Sequence, residues 1–142
     1  LWHLGQGMPT GRVVAIVLVG WHLASSFLAH PDYLAYFNEF AGPKPERILV
    51  DSDLDWGQDL ARLADELRRR DIKVVSIAYF GTADLARHGL PAYNVLPRGE
   101  VQHGWIAISK SSLMKDEGYR WLRQYEPVSE IGRSILLYYI GG

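Results

Sequence analysis

The sequence contains no cysteine among its 142 residues, which excludes disulfide frameworks and thiolate metal sites. It also lacks an excess of charge, because 15 basic and 16 acidic side chains give a formal net charge of −1. Proteins that bind nucleic acid usually present a basic face, so we expect no nucleic-acid partner. No P-loop, G-x-G-x-x-G or G-x-S-x-G motif occurs, and no two histidines have metal-ligand spacing. The sequence therefore predicts no catalytic residues and no cofactor.

One long apolar run lies near the start of the sequence. Residues 13–29 read VVAIVLVGWHLASSFLA and carry no formal charge. As a helix, this run would span about 25 Å at about 1.5 Å per residue, close to the thickness of the hydrocarbon core of a bilayer. Gly20, His22 and the two serines leave a buried helix of a soluble domain as the alternative. We predict a single transmembrane helix over residues 12–30.

The flanks of this run are typical of a membrane span. Arg12 precedes it, whereas the first lysine after it is Lys44. The positive-inside bias therefore places the rest of the chain on the periplasmic side of the cell membrane. The aromatic segment DYLAYFNEF follows the run, at the level of an interfacial aromatic belt. The predicted contacts with membrane or partner are Trp21, Tyr33, Tyr36, Phe37 and Phe40.

The pattern changes at GPKP, residues 42–45, because two prolines on either side of a lysine do not continue a helix. We divide the chain there into four parts. They are an N-terminal flank (1–11), the transmembrane helix (12–30), an interfacial segment with a linker (31–45) and a soluble extracytoplasmic α/β domain (46–142).

Strand and helix patterns alternate after residue 45. The predicted strands are RILVD (47–51), KVVSIAYFG (73–81), GWIAIS (104–109) and the segment 134–140. The predicted helices are 58–70, 82–89 and 115–125, and PAYNVLPRGEVQ between them is predicted as a loop. This alternation predicts an α/β fold with a small, mostly parallel sheet flanked by helices, whose last strand is free to pair antiparallel at an edge.

The motif DSDLDWGQD holds four carboxylates in nine residues. The alternating Asp51, Asp53 and Asp55 are how a calcium-binding loop begins. An EF-hand, however, requires glycine where Trp56 stands and a bidentate glutamate where Arg62 stands. The standard EF-hand is therefore excluded, and an irregular site with oxygen ligands stays open.

Helix capping explains part of this acidity. Asp55 and Gln58 fit a capping box at the start of the next helix, and Asp59 fits its first turn, where the helix dipole favours negative charge. Asp51 and Asp53 remain at the carboxyl end of a predicted strand, where open α/β sheets place their ligands. Both interpretations are kept: capping and loop structure alone, or a ligand or metal site.

A second loop, YFGTAD, follows the next predicted strand. Gly81 permits a tight turn, Thr82 is a natural N-cap, and a parallel sheet would bring this loop beside Asp53. Two converging loops indicate a pocket, and an ordinary connection between strand and helix is the alternative. The candidate ligand-binding residues are Asp51, Asp53, Asp55, Gln58, Gly81, Thr82 and Asp84.

Five motifs in a fixed order carry a family resemblance: HPDYLAYFNEFAG, LVDSDLDWGQDLARL, IAYFGTAD, Y-x-W-L and P-x-x-x-I-G-x-S-I-x-x-Y. Together they resemble the C-terminal region of bacterial phospholipid-carrier-dependent glycosyltransferases related to dolichyl-phosphate-mannose protein mannosyltransferases. The most specific part is WGQDL with its acidic loop, in which the family usually has Asn at the position of Asp53. The resemblance implies a last transmembrane helix followed by an extracytoplasmic domain. The family's catalytic acids lie in an early extracytoplasmic loop, so the resemblance assigns no catalytic residue here.

We therefore expect a membrane-anchored extracytoplasmic domain without its own catalytic site, which by itself is not an enzyme. It would act as a structural or interaction subunit of a larger membrane complex, such as a bioenergetic one, with membrane lipid and other membrane-protein subunits as partners. The alternative is the C-terminal part of a lipid-carrier-dependent membrane glycosyltransferase that contributes acceptor or sugar binding. A third hypothesis is an independent domain that binds a small molecule or a metal.

Overall fold

A computed structural model of the chain describes residues 10–30, 33 and 57–142, and the structural statements below concern these residues. The helices are α1 (Thr10–Ala29), α2 (Leu60–Arg69) and α3 (Lys110–Lys115), together with 3₁₀ helices at Leu85–His88 and Glu117–Gln124. The strands are β1 (Val74–Ala78), β2 (Ala92–Val95), β3 (Gly104–Ser109), β4 (Ser129–Ile131) and β5 (Ile135–Ile140). The predicted strand 47–51 lies outside the described residues.

Helix α1 is apolar around its whole circumference. Ile16, Val17, Leu18 and Val19 follow one another and, at 3.6 residues per turn, point to different sides of the helix. Each of them is between 60% and 63% exposed. The 20 residues of α1 rise about 30 Å, which matches the hydrocarbon core of a bilayer. By length and composition, the described part of the chain thus has one helix able to cross a membrane.

Helix α2 packs on the sheet through the predicted apolar stripe, because Leu60, Leu63, Ala64 and Leu67 are all buried. It begins later than predicted, with Asp59 at the N-cap. A capping box with Asp55 as N-cap would require the helix to start at residue 56. Because α2 starts at Leu60, the predicted capping box is wrong for this helix.

One carboxylate on α2 is buried and pairs with two exposed arginines. Glu66 is 7% exposed and pairs with Arg70 at 2.5 Å and with Arg69. The hydrogen bond from Arg70 holds the pKa of Glu66 below its usual value of 4.5, and the charges of Arg69 and Arg70 add to this effect, although burial acts in the opposite direction. Glu66 is therefore charged in the folded protein near neutral pH.

The described strands form one five-stranded sheet in the order β2-β1-β3-β5-β4. β1 pairs parallel with β2 and with β3, whereas β5 pairs antiparallel with β3 and with β4. The sheet is therefore mixed, which corrects the prediction of a mostly parallel one. β5 is also an inner strand and not an edge strand, because β4 covers its outer side.

Two apolar clusters cover the two faces of this sheet. On one face, the leucines of α2 pack with Val75, Ile77 and Leu137. On the other face, Ile106 and Ile108 pack with residues from α3 and from the 3₁₀ helix Glu117–Gln124. This α/β arrangement agrees with the general fold predicted from the sequence.

Tyr138 belongs to the second cluster and is 2% exposed. Its burial, together with the charge of Glu126, raises the pKa of its phenol to about 12.

Other predicted elements differ in type. Residues 92–95, predicted as loop, form β2, and β4 was not predicted at all. The predicted helix 82–89 is the shorter 3₁₀ helix Leu85–His88, with Asp84 and not Thr82 at its N-cap and with Gly89 ending it at φ +68° as expected. The predicted helix 115–125 is the 3₁₀ helix Glu117–Gln124.

Candidate functional site

Part of the predicted site lies outside the described residues. This holds for Asp51, Asp53 and Asp55 of the acidic loop and for Tyr36, Phe37 and Phe40 of the aromatic segment. The ligand-binding and interface roles of these residues remain predictions.

The structure describes four of the predicted ligand-binding residues: Gln58, Gly81, Thr82 and Asp84. Gln58 is half-buried in the turn before α2, and Gly81 and Thr82 are exposed after β1. Asp84 accepts a hydrogen bond from the amide of Ala86 at 3.1 Å, which caps the 3₁₀ helix that follows. The position of Asp84 is thus explained by local structure.

Two of the predicted interface residues are exposed. Trp21 lies on α1 and is 58% exposed, and Tyr33 is 56% exposed. The hydroxyl of Tyr33 lies 3.1 Å from Nδ1 of His30, so this pair makes a local contact just after the helix.

Asp59 of the WGQDL motif is the centre of a buried polar network. Its carboxylate is 1% exposed, and Oδ2 accepts hydrogen bonds from the amides of Arg133 and Ser134 at 2.9 and 3.0 Å and from the hydroxyl of Ser134 at 2.8 Å. Oδ1 pairs with Arg62 at 2.9 Å. Because Arg133 and Ser134 form the turn between β4 and β5, Asp59 fastens the start of α2 to this hairpin.

Gly132 makes room for this carboxylate. Its φ is +57°, and a Cβ at this position would lie 1.9 Å from Oδ1 of Asp59. Any side chain here would therefore collide with the carboxylate and would also strain the backbone.

A second contact joins the WGQDL and YFGTAD motifs. Gly57 has φ +87°, and a Cβ there would lie 2.9 Å from Cβ of Ala83 and 3.4 Å from the hydroxyl of Tyr79. The ring of Tyr79 in turn lies against Gly81. In the residues described, the WGQDL motif thus contacts the YFGTAD loop, whereas the predicted position of that loop beside Asp53 lies outside them.

We call this region the motif corner: Gly57, Asp59, Tyr79, Gly81, Ala83 and Gly132–Ser134. It brings together three segments of the sequence that are far apart, since Asp59 and Ser134 are separated by 75 residues. The carboxylate of Asp59 is saturated by protein donors and buried. The motif corner is thus built to hold the fold together, a role of Asp59 that the sequence analysis missed.

A cleft opens on the other side of β1, at the carboxyl edge of the parallel strands. Its volume is about 310 Å³, and its walls are Phe80, Arg98, Ser112, Lys115, Asp116, Glu117 and Gly118. The amide of Phe80 donates to Oγ of Ser109 at 2.9 Å, which ties the end of β1 to the end of β3. Among the described residues, the predicted motifs contribute to the cleft through Phe80 of YFGTAD.

The side chains of the cleft are arranged as local pairs. Arg98 forms two bonds of 2.9 Å to the carboxylate of Asp116. Nζ of Lys115 lies 5.0 Å from the centroid of the Phe80 ring. Among the described residues, no group of three or more His, Cys, Asp or Glu side chains is placed to hold a metal ion. The arrangement offers hydrogen bonds and one aromatic surface to a ligand.

Comparison of the chain with protein-family models, with curated proteins and with solved structures gives no match.

Proposed function

We propose that this chain is a membrane-anchored, extracytoplasmic α/β module that acts as a structural or interaction subunit of a larger membrane assembly. The observation that carries this proposal is α1. A helix that exposes isoleucine, valine and leucine on every side is strongly disfavoured in water, whereas lipid or neighbouring membrane helices would cover all of these sides. The helix is long enough to span the hydrocarbon core.

The charge distribution supports the orientation. Arg12 lies in the first turn of α1, and the segment that follows the helix has no lysine before Lys44. A chain inserted with Arg12 on the cytoplasmic side would place the α/β domain outside the cytoplasm.

The absence of cysteine allows a direct test of this topology. A single cysteine at Glu100, in the exposed loop between β2 and β3, gives a unique thiol on the α/β domain. In intact cells with a permeable outer membrane, we expect a membrane-impermeant maleimide to label this thiol while the chain stays in the pellet after alkaline carbonate extraction. Release by carbonate would reject anchoring, and labelling only after lysis would reject the orientation.

The interaction role needs a separate measurement. We expect the chain to co-purify with membrane-protein subunits in mild detergent, and mass spectrometry of the intact complex would identify them. A stable monomer without partners under these conditions would contradict the role as a subunit.

A second candidate function is the C-terminal part of a lipid-carrier-dependent membrane glycosyltransferase that contributes acceptor or sugar binding. The motif corner favours it, because the WGQDL motif there contacts two of the other motifs that carry the resemblance. Motifs that depend on each other's positions are what a shared fold would produce. The intact mass of the native protein tests this candidate: a polypeptide that continues upstream into many apolar spans supports it, and one that begins close to α1 rejects it.

A further inference from the structure

The cleft beside Phe80 lies where an open α/β sheet changes the direction of its connections. The connection after β1 leads to the 3₁₀ helix Leu85–His88, which packs on the face covered by α2. The connection after β3 leads to α3, which packs on the opposite face. Two neighbouring parallel strands whose connections leave toward opposite faces create a crevice at their carboxyl ends, and this is the place where such folds bind ligands.

The cleft occupies this crevice. Phe80 follows β1, and Ser112 lies on α3 directly after β3, so both strand ends contribute to the walls. A volume of about 310 Å³ is at the small end of the range for ligand pockets, which suits a ligand of the size of a monosaccharide.

The charges of the cleft balance. Arg98 and Lys115 line it together with Asp116 and Glu117, and Arg98 is held by two bonds to Asp116. Glu117 is close to a further cation, with 3.4 Å between its Oε1 and Nη1 of Arg123. A ligand with a net charge would have to compete with these pairs, whereas an uncharged ligand would meet donors and acceptors of both kinds.

The aromatic ring of Phe80 further limits the class of ligand that the cleft would bind. The face of an aromatic ring is electron-rich and attracts positively polarised groups, and Lys115 already lies 5.0 Å from the ring centroid of Phe80. The polarised C–H groups of a sugar ring would use the same face. Its hydroxyls would find hydrogen-bond partners in the carboxylates and the guanidinium that line the cleft.

We propose that the crevice between the carboxyl ends of β1 and β3 is a binding site for an uncharged carbohydrate, with Phe80 as the surface on which the sugar ring lies. This inference rests on the second candidate function, because it gives the sugar-binding role of that candidate a location. The walls of this site are distinct from the motif corner, and they include none of the predicted ligand-binding residues that the structure describes: Gln58, Gly81, Thr82 and Asp84.

The test uses the full chain in a detergent without a sugar head group, such as an amine oxide, because glycoside detergents would compete. Neutral methyl glycosides of hexoses and pentoses are titrated, and binding is followed by saturation-transfer NMR. We expect at least one of them to bind saturably, with a Kd on the order of 1–10 mM.

The matched variants are Phe80→Ala and Tyr93→Ala. These two aromatic residues are equally exposed, at 36% and 37%, but Tyr93 lies on the edge strand β2, away from the cleft. We expect Phe80→Ala to weaken binding about five- to tenfold and Tyr93→Ala to leave it unchanged. If Phe80→Ala unfolds the domain, as judged by near-UV circular dichroism, Phe80→Leu keeps the apolar contact and removes only the aromatic face.

Each outcome is decisive for the site. No saturable signal up to about 50 mM for any neutral glycoside overturns the inference, and so does equal weakening by the two alanine variants. Binding of sugar phosphates alone overturns the uncharged class. These results leave membrane anchoring untouched, since carbonate extraction measures it, and they leave the glycosyltransferase candidate to be decided by the intact mass.

Discussion

Replacing Asp59 should destabilise the α/β domain more than replacing any exposed carboxylate. In Asp59→Ala, two amides and one hydroxyl at the turn between β4 and β5 lose their acceptor; both donors of Ser134 are buried, and the amide of Arg133 is partly buried. Each unsatisfied donor costs about 1–3 kcal/mol, and water entering the vacated space offsets part of this, so we expect a loss of about 3–5 kcal/mol. This is a large share of the stability of a small domain, which is about 5–15 kcal/mol.

Urea denaturation of the full chain in mild detergent measures this loss, with near-UV circular dichroism as the signal for packed aromatic side chains. For a domain of this size, an m value of about 1.5 kcal/mol/M converts the loss into a midpoint shift of about 2–3 M. Asp59→Asn keeps the volume and one acceptor oxygen but loses the charge that Arg62 faces. It should therefore lie between the wild type and Asp59→Ala.

The matched control is Asp65→Asn on the same helix. Asp65 pairs with Arg68 three residues later, as Asp59 does with Arg62, but its side chain is 68% exposed. Because exposed ion pairs contribute little, we expect a change within about 0.5 kcal/mol. Equal effects of Asp59→Asn and Asp65→Asn would refute the reasoning, since they would show that the buried network adds nothing beyond a surface pair.

Three further predictions use the same denaturation assay. Gly132→Ala should be strongly destabilising in the wild type and much less so in an Asp59→Ala background. The control is Gly99→Ala, which has φ +79° and open space around it and should therefore show backbone strain alone. If the effects of Gly132→Ala and Asp59→Ala were additive, the steric clash would be contradicted. Because the pKa of Glu66 is lowered in the folded state, its charge stabilises the protein above pH 4.5, and this contribution is lost as the pH falls through the lowered pKa. The difference in urea midpoint between wild type and Glu66→Gln should therefore shrink from pH 7 to pH 3. A constant difference would refute this prediction. Because the pKa of Tyr138 is raised to about 12, stability should fall as the pH rises from 10 to 12, and Tyr138→Phe should remove that part of the fall, which an unchanged pH profile would contradict.

The elements predicted correctly from the sequence are those with a strong local pattern. α2 has four buried apolar positions at helical spacing, and β1, β3 and β5 are apolar runs inside the sheet. The missed strands lack such a pattern. β2 has four exposed residues at the sheet edge, and β4 has three residues. Their pairing partners, and not their own composition, make them strands.

The polar contacts were less predictable because they depend on residues far apart in the sequence. Locally, Asp59 resembles an acidic residue that complements a helix dipole, and its partners at Arg133 and Ser134 follow only after the hairpin has been placed. The mixed pairing of the sheet likewise depends on residues far apart in the sequence. The short turn that ends at Ser134 reverses the chain and thereby places β5 antiparallel between β3 and β4.

The position of β5 also has a consequence for biosynthesis. β5 comes last among the described elements, yet it fills an inner place in the sheet, and the turn before it supplies the donors for Asp59. While a chain is still being made, α2 and β3 would be present without these partners, so that Asp59 would lack the donors of the turn and β3 would have an open edge. The sheet can therefore be completed only after residue 140 has been synthesised. A chaperone that protects the open edge until then would raise the yield of folded protein.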